Sequence, residues 1–194
     1  TDQQRFDTLR CYGNEIIETP CLNWLAEEGT VFTKAYTPSP SCVPARASLI
    51  TGKKPWKTGV LGMGGNQLEM GVNLGDTIPE YLSKLNYFTA GIGKMHFYPQ
   101  RALNGFHQTI LDESGRIKDP DFISDYKEWF DNNKPAEVGI IDHGIDWNGW
   151  GARPYHLPEY LHATNWTVNQ GIKFLKKRDP SKPFFLKLSF ARPH

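Results

Sequence analysis

The chain has 194 residues, enough for one domain with a sizeable hydrophobic core. Its 39% hydrophobic and 22% charged residues are ordinary for a globular protein, and a formal net charge of +1 gives no general reason to expect nucleic acid or a membrane surface as a partner. No apolar run reaches the roughly 18 residues that a membrane-spanning helix needs.

The three cysteines, Cys11, Cys21 and Cys42, show no C-x-x-C spacing and do not make a disulfide framework. We expect Cys11 and Cys21 to be small buried side chains. The chain opens at Thr1 without a methionine, so the lack of a signal peptide does not decide between a cytoplasmic and a periplasmic or secreted protein.

The first predicted helix covers residues 20 to 28. Thr19 stands at its N-cap position, a proline follows in the first turn, apolar residues share one face, and Gly29 ends it. Residues 31 to 36 are β-branched and aromatic, which predicts a strand. This strand would deliver the chain through a short loop to Cys42.

The segment from Cys42 to Gly52 contains most of the chemical information. Pro44 suits the first turn of a helix and Gly52 its end, which predicts a helix with Cys42 at its N-terminus. Free N–H groups and the macrodipole favour negative charge there, and Arg46 lies one turn along on the same face. The site thus suits a reactive thiolate and an anionic substrate. Three lysines lie nearby: Lys53, Lys54 and Lys57. They would either help to bind an anion or form a solvated basic loop.

A second pattern of helix and strand leads to another polar motif. A helix is predicted from Thr77, and a short apolar strand follows at residues 87 to 92. The apolar helix residues expected to face inward are Tyr81, Leu82 and Leu85. The strand ends at Gly-Lys-Met-His, so Lys94 and His96 are either solvated side chains at a strand exit or members of a site.

Residues 98 to 156 are the least regular part of the sequence. A helix is predicted over residues 122 to 130. The stretch 144 to 155 places Trp147 and Trp150 among glycines. Because long loops in compact domains usually serve binding, this stretch predicts a substrate rim for a sugar or aromatic ring. A loop folded onto its own aromatic residues is the equal alternative.

The last third of the chain ends in one helix and one strand. Apolar residues at spacings of three and four predict an amphipathic helix over residues 157 to 177, with lysines at its end. A mainly apolar strand follows at residues 183 to 190, interrupted by Lys187. This strand leads to the closing Pro193 and His194.

Helices that alternate with apolar strands predict an α/β fold, a mostly parallel sheet with helices on both faces. Ligands bind outside the carboxyl ends of the strands in such sheets. Lys94, His96 and His194 each follow a predicted strand. Cys42 begins a helix that comes after another predicted strand. Residues distant in sequence should therefore meet at a common edge.

These residues resemble the signature of the type I, formylglycine-dependent sulfatases, and bacterial arylsulfatases in particular, within the alkaline phosphatase superfamily. The resemblance follows three motifs: C-x-P-x-R, G-K-x-H and a closing Pro-His. The matched residues are Cys42, Pro44, Arg46, Lys94, His96 and His194. The stretch before Cys42 also resembles the family, at Cys11–Asn14, Thr19–Pro20 and Phe32–Tyr36. The resemblance implies the sulfatase fold and covers nearly the whole chain.

The resemblance implies a hydrolase that cleaves the sulfate monoester of a small molecule or carbohydrate. In the family a formylglycine-generating enzyme oxidises the cysteine, here Cys42, and the hydrated aldehyde is the nucleophile. Arg46 would stabilise the hydrate, and Lys94 would hold sulfate oxygens. His194 would protonate the leaving oxygen, and His96 would take the proton from the second hydroxyl.

The resemblance also implies a divalent cation, Ca²⁺ or Mg²⁺, bound by Asp2, Gln3 and oxidised Cys42. The family's later acidic pair and further lysine are not found, because Asp142-His143 has the letters of that pair but precedes the Pro-His strand. We therefore expect residues 1–194 to be the N-terminal part of a sulfatase catalytic domain, with the sheet incomplete and little activity alone.

Three other functions remain open at this stage. The chain resembles phosphonate and phosphate ester hydrolases of the same superfamily, which share the fold and the metal. A non-catalytic module that binds sulfated sugars would keep the same motif without turnover. A thiol redox role for Cys42 is the third alternative, although no other cysteine has suitable spacing.

Overall fold

The computed structural model describes residues 1–63, 74–113, 121–145 and 149–194. Its helices are α1 (Pro20–Glu28), α2 (Cys42–Thr51), α3 (Pro55–Thr58), α4 (Ile78–Lys84), α5 (Asp125–Asn133) and α6 (Ala163–Lys177). Its strands are β1 (Phe88–Gly93), β2 (Gln108–Leu111) and β3 (Phe184–Ser189). Short 3₁₀ turns lie at Phe6–Thr8, Arg10–Tyr12 and Glu159–Leu161.

The strands β2, β1 and β3 form a parallel sheet in that order, as the alternation of helices and strands predicts. Gly93, the last residue of β1, pairs with Leu111 of β2 and with Ser189 of β3. The carboxyl ends of the three described strands therefore lie level at one edge. Asp2 adds an isolated parallel bridge to Pro193, just beyond β3.

Helices cover both faces of this sheet. On one face α6 packs against β1 and β3, where the Phe174 ring lies 5.7 Å from that of Phe184 and 6.0 Å from that of Phe88. On the opposite face α2 contributes Ala47 to a cluster that includes Phe185 of β3. Successive residues of a strand point to opposite faces, so Phe184 and Phe185 anchor the two layers.

Two apolar clusters form the core of the described chain. The cluster on the α2 side contains Val43, Ala47, Ile50, Val60, Met95, Phe97, Phe106 and Leu111. The cluster around α5 and α6 contains Tyr126, Phe130, Leu161, Ala163 and Trp166. Strand β2 joins them, because Leu111 belongs to the first cluster and Ile110 packs against the second. The site-bearing helix α2 is thus fixed on the sheet by apolar packing.

Helix α2 has the bounds that the sequence predicts, and its end shows why. Gly52 follows it with φ 66° and donates its N–H to Ser48 O at 2.9 Å. Glycine adopts this left-handed conformation without the steric cost that a Cβ atom brings. Helix α1 also matches its predicted range.

The expected strand over residues 31 to 36 is wrong. This stretch has no strand pairing in the described chain, and Phe32 and Tyr36 are exposed. The backbone oxygen of Phe32 accepts a hydrogen bond from the hydroxyl of Tyr12. β-branched and aromatic residues favour a strand only where they gain a partner strand and a buried face, and neither is found here among the described residues.

The expected burial of four residues is also wrong. Cys21 on α1 is exposed, and Cys11 is only half-buried. Tyr81 on α4 and Leu85 just after this helix are exposed, so Leu82 alone of the three is partly buried. Helix α4 has only seven residues, and Pro79 is its buried residue. The buried side of this helix is therefore not the apolar face that the sequence predicts.

Helices α5 and α6 begin later than the sequence predicts. The Ser124 hydroxyl accepts the N–H of Lys127, which fixes the start of α5 at Asp125. The segment before α6 forms the separate 3₁₀ turn Glu159–Leu161. Strand β2 was not predicted and lies inside residues 98–156, which are therefore more regular than expected. Among the described helices, none combines the length and apolar character required to cross a bilayer.

Candidate active site

Asp2 is the centre of a buried group of charged side chains at the carboxyl edge of the sheet. Its Oδ2 accepts hydrogen bonds from Lys94 Nζ and, at 2.9 Å, from His194 Nδ1. Its Oδ1 lies 3.6 Å from Arg46 Nη2. The backbone N–H of Asp2 donates to Arg192 O. Four of the predicted site residues, counting Asp2 itself, are thus in direct contact.

The charge of Asp2 is set by these contacts. Burial alone would raise the pKa of Asp2, but hydrogen bonds from Lys94 and His194, together with the charge of Arg46, hold this pKa well below its usual range. Asp2 is therefore a carboxylate at neutral pH. A buried carboxylate at this position is a suitable ligand for a hard divalent cation.

Arg46 joins α2 to the ends of β1 and β3. It is buried, and its Nη1 donates to Lys94 O at 2.5 Å and to Ser189 Oγ at 3.0 Å. Its Nε is buried and has no hydrogen-bond partner within the described ranges. Because an unsatisfied buried donor costs free energy, this N–H favours the binding of an anion.

Cys42 is the first residue of α2, as predicted. Its Sγ lies 3.5 Å from Asp2 Oδ1 and 3.9 Å from Asp2 Oδ2. The residue lines a cavity of about 730 Å³, whose wall also includes Gln3, Lys53 and Lys187. Residue 42 is therefore open to a ligand and close to the buried carboxylate.

The basic residues near α2 divide between the cavity wall and the surface beyond it. Lys53 and Lys54 line the cavity, in agreement with the interpretation that they would help to bind an anion. Lys57 does not line it. Gln3 is exposed on the wall with φ 58°, so its side chain is accessible to a ligand.

Lys94 reaches the site because β1 ends in glycine. A Cβ atom on Gly93 would collide with Ser189 O, and the residue has φ 91°. Lys94 N–H donates to Ser189 O at 2.8 Å, and the Lys94 side chain is buried with Nζ 3.3 Å from His194 Nδ1. Glycine at this position thus lets β1 and β3 approach and turns the lysine toward Asp2.

His96 lies two residues beyond Lys94 and is held by its backbone. It has φ 59°, and its N–H donates to both carboxylate oxygens of Glu113, at 3.0 and 3.1 Å. The described contacts do not join its side chain to Asp2 or Cys42. The catalytic role of His96 remains a prediction from the motif.

Glu113 was not found by sequence reasoning. It follows the unpredicted strand β2 at the same carboxyl edge, is buried, and also accepts the N–H of Met95 at 3.1 Å. Burial raises the pKa of Glu113 to about 7. The signal for it was the short run Thr109 to Leu111 before an acidic pair, which is too short to stand out from a loop.

Replacing Glu113 by Gln should change how stability depends on pH. A carboxyl group with a pKa near 7 in the folded chain and about 4.3 in the unfolded chain weakens folding as the pH rises through that interval. The free energy of unfolding of Glu113→Gln, relative to wild type, should therefore rise from about pH 4.5 to pH 7 and then level off. Chemical denaturation of the full-length protein measures it, and a constant difference across this range would contradict the prediction.

Lys187 is a second titratable group near the site, and it is only partly buried; the sequence marked it only as an interruption of an apolar strand. Its Nζ contacts Lys94 O and Met95 Sδ, at 3.5 and 3.4 Å. Burial and then the charge of Arg46 lower the pKa of Lys187 to about 7, although Glu113 and Asp2 oppose this shift. Lys187 also lines the cavity beside Cys42.

Part of the stretch predicted as a substrate rim, residues 149 and 151–155, lines a second cavity of about 330 Å³, and its role in binding substrate stays a prediction. Tyr155 lines it, and so does His194. Trp150 is fully exposed outside it, and Trp147 lies outside the described residues. Asp142 accepts the N–H of Gly139 at 2.6 Å and belongs to this loop.

A metal ion would find a suitable set of donors around Asp2. One ligand atom each from Asp2, Cys42 and His194 lies within 4.8 Å of the others. The cations Ca²⁺ and Mg²⁺ prefer oxygen ligands, which Asp2 and Gln3 offer and which an oxidised residue 42 would offer in place of sulfur. The donors present therefore fit such a cation.

Comparison with known proteins gives a consistent family. The chain is 46% identical over its full length to an arylsulfatase of Clostridium perfringens, of which it covers 42%. It resembles a solved protein in complex with its substrate D-glucosamine-2-N,6-O-disulfate, with a TM-score of 0.67 at 24% identity, over 97% of this chain and 32% of that one. It also resembles the phosphonate monoester hydrolase of Agrobacterium radiobacter, with a TM-score of 0.72 at 22% identity, over 100% of this chain and 40% of that one.

The chain spans less than half the length of each of these relatives. Its parallel sheet with helices on both faces is the fold that they share. The sulfatase profile matches all of residues 1–194. This chain therefore belongs to the sulfatase family.

Proposed function

We propose that the full-length protein hydrolyses sulfate monoesters through a formylglycine derived from Cys42 and a divalent cation, Ca²⁺ or Mg²⁺. The observation that supports this most directly is the contact of Asp2 with Cys42, Arg46, Lys94 and His194 at one edge of the sheet. The residues come from the start, middle and end of the chain. Their convergence on one carboxylate is what the family motifs predict.

A sulfate ester is a stable anion, so the site must supply positive charge. Arg46 offers an unused buried Nε donor, and the Lys94 ammonium group shares the Asp2 carboxylate with Arg46. Asp2 forms a buried ion pair with Lys94. Asp2 would hold the divalent cation, and Lys94 would contact the sulfate oxygens.

An ordinary thiol does not account for turnover. A thiolate attacking sulfur would form an adduct with no second hydroxyl to release it, whereas hydrated formylglycine at residue 42 supplies two hydroxyl groups on one carbon, one for attack and one for release. The helix N-terminus at residue 42 favours negative charge on the attacking oxygen. The divalent cation would polarise the sulfate and lower the pKa of this hydroxyl.

Two histidines would handle the protons. His194 Nδ1 is hydrogen-bonded to Asp2, which fixes the ring beside residue 42, and the histidine would protonate the leaving oxygen. His96 would take the proton from the second hydroxyl group when sulfate is expelled. Glu113 accepts the backbone N–H of His96 and so fixes the position of the His96 backbone, from which the imidazole ring extends.

The proposed substrate is a sulfate ester of a small molecule or a carbohydrate. Sulfated glucosamine is the substrate of one structural neighbour, and arylsulfatase is the name of the relative at 46% identity. The cavity of about 730 Å³ beside Cys42 is within the usual size range of small-molecule sites. A formylglycine-generating enzyme is the proposed partner in maturation.

Rates on paired substrates test this function. The full-length protein, produced with a formylglycine-generating enzyme, should release sulfate from an aryl sulfate and act much more slowly on the matched aryl phosphonate. Chelation should lower the rate of sulfate release on the order of 10²-fold or more, and added Ca²⁺ or Mg²⁺ should restore this rate. Sulfate release is measured directly. Unchanged rates after chelation would contradict the proposed role of a divalent cation.

The same experiment separates the alternatives. Faster hydrolysis of the phosphonate would favour the phosphonate esterase, whose fold is shared by the neighbour from Agrobacterium radiobacter. Binding of sulfated sugars by the oxidised protein without any release of sulfate would instead show a binding module. The described chain has its three cysteines free, so a thiol redox role finds no disulfide to support it.

A further inference from the structure

The second cavity, of about 330 Å³, adjoins the candidate active site. Some residues of the loop stretches 141–145 and 149–155 line it, together with Arg192, Pro193 and His194. His194 belongs to both places, because its Nδ1 lies 2.9 Å from Asp2 Oδ2. A ligand in this cavity would therefore reach the side of the site where the leaving group departs.

The titratable side chains that line this cavity are basic or aromatic. They are His143, Arg153, Tyr155, His162, Arg192 and His194, and the described lining includes no carboxylate. Arg153 is exposed, and its Nη1 donates to His143 O at 3.0 Å. Since a guanidinium has several N–H donors, this contact leaves Arg153 able to bind an acidic group in a bidentate manner.

The positive charges act on the cavity itself. Burial and then the charges of His156, Arg192 and Arg153 lower the pKa of His143, with Asp142 opposing them. Burial and then Arg192 lower the pKa of His162, which Glu159 opposes. Part of this lowering comes from the arginines, which place positive charge at the cavity wall. An anion placed there would relieve this repulsion.

We propose that the second cavity binds a further acidic group of the substrate, a carboxylate or a second sulfate, on the part of the molecule that leaves. This inference rests on the proposed sulfatase function and specifies its substrate class as dianionic. The volume suits about one sugar or aromatic ring. Arg153 and Arg192 recognise the acidic group, while the reacting sulfate lies with Arg46 and Lys94.

The test uses two aryl sulfates that differ only in one ring substituent, a carboxylate or the carboxamide of the same shape. The full-length, formylglycine-bearing enzyme should cleave the carboxylate with a kcat/KM about tenfold higher or more. Arg153→Ala should bring the two values close together. Arg153→Lys should keep part of the preference, because it keeps the charge.

The matched control is Arg10→Ala, at an exposed arginine that lines neither cavity, and it should keep the full preference. Equal kcat/KM for the two substrates in the wild type would overturn the inference, and so would a preference that survives Arg153→Ala. Both outcomes leave sulfate release intact. Failure to release sulfate from either substrate would instead overturn the proposed function, and this inference with it.

Discussion

Cys42→Ala should abolish sulfate ester hydrolysis by the full-length protein, with a loss on the order of 10³-fold or more. Residue 42 is the only position in the cluster around Asp2 that the family motif makes a nucleophile, and alanine supplies neither a thiol to oxidise nor an oxygen to attack with. The remaining charges would still bind an anion. Sulfate release under saturating substrate measures the loss.

The matched control for this variant is Cys21→Ala. Cys21 is an exposed free thiol on α1, so its removal should leave the rate unchanged. Mass spectrometry of the peptide that contains residue 42 should show the aldehyde in place of the thiol in active enzyme. Full activity with an unmodified thiol, or activity in Cys42→Ala, would refute the proposed nucleophile.

Asp2→Asn should have the second large effect, and on two quantities. Asparagine keeps the shape but removes the charge that Lys94, His194 and Arg46 share, so buried positive charges lose their partner. Breaking a buried pair of this kind costs on the order of 3 kcal/mol of the free energy of unfolding. The variant should also lose activity on the order of 10²-fold or more, because it removes an anionic metal ligand.

Chemical denaturation and Ca²⁺ or Mg²⁺ titrations of the full-length protein measure these effects. The control is Asp7→Asn, an exposed carboxylate paired with Arg5 near the same end of the chain, which should change neither quantity measurably. Wild-type metal dependence in Asp2→Asn would show that the cation is held elsewhere. Unchanged stability would show that the contacts of Asp2 are not maintained in the full-length protein.

Much of the site was predictable because its signals are local. Pro44 and Gly52 mark the ends of α2 whatever surrounds it, and Gly93 ends β1 just before Lys94. The rule that ligands gather at the carboxyl ends of parallel strands then predicts that Cys42, Lys94 and His194 approach one another. The contacts through Asp2 agree with that rule.

Other features were not predictable because they depend on distant partners. Residues 31 to 36 have strand-forming side chains but no partner strand in the described chain. Strand β2 has only four residues, and β1 stabilises it through pairing rather than through its own pattern. Because β2 was not predicted, the hydrogen bond between the Glu113 carboxylate and the His96 backbone N–H could not be inferred.

The amino-acid sequence by itself determined the family, the parallel α/β fold and the identity of the residues that meet at Asp2, because motifs and periodicity are properties of short segments. Only the tertiary structure decided how charge is arranged: Asp2 shared among three basic groups, Lys187 on the wall of the cavity beside Cys42, Glu113 buried at the backbone of His96, and a basic cavity beyond His194. The reason is physical. Burial and distance set the energy of a charge, and neither exists until segments far apart in the chain have packed together.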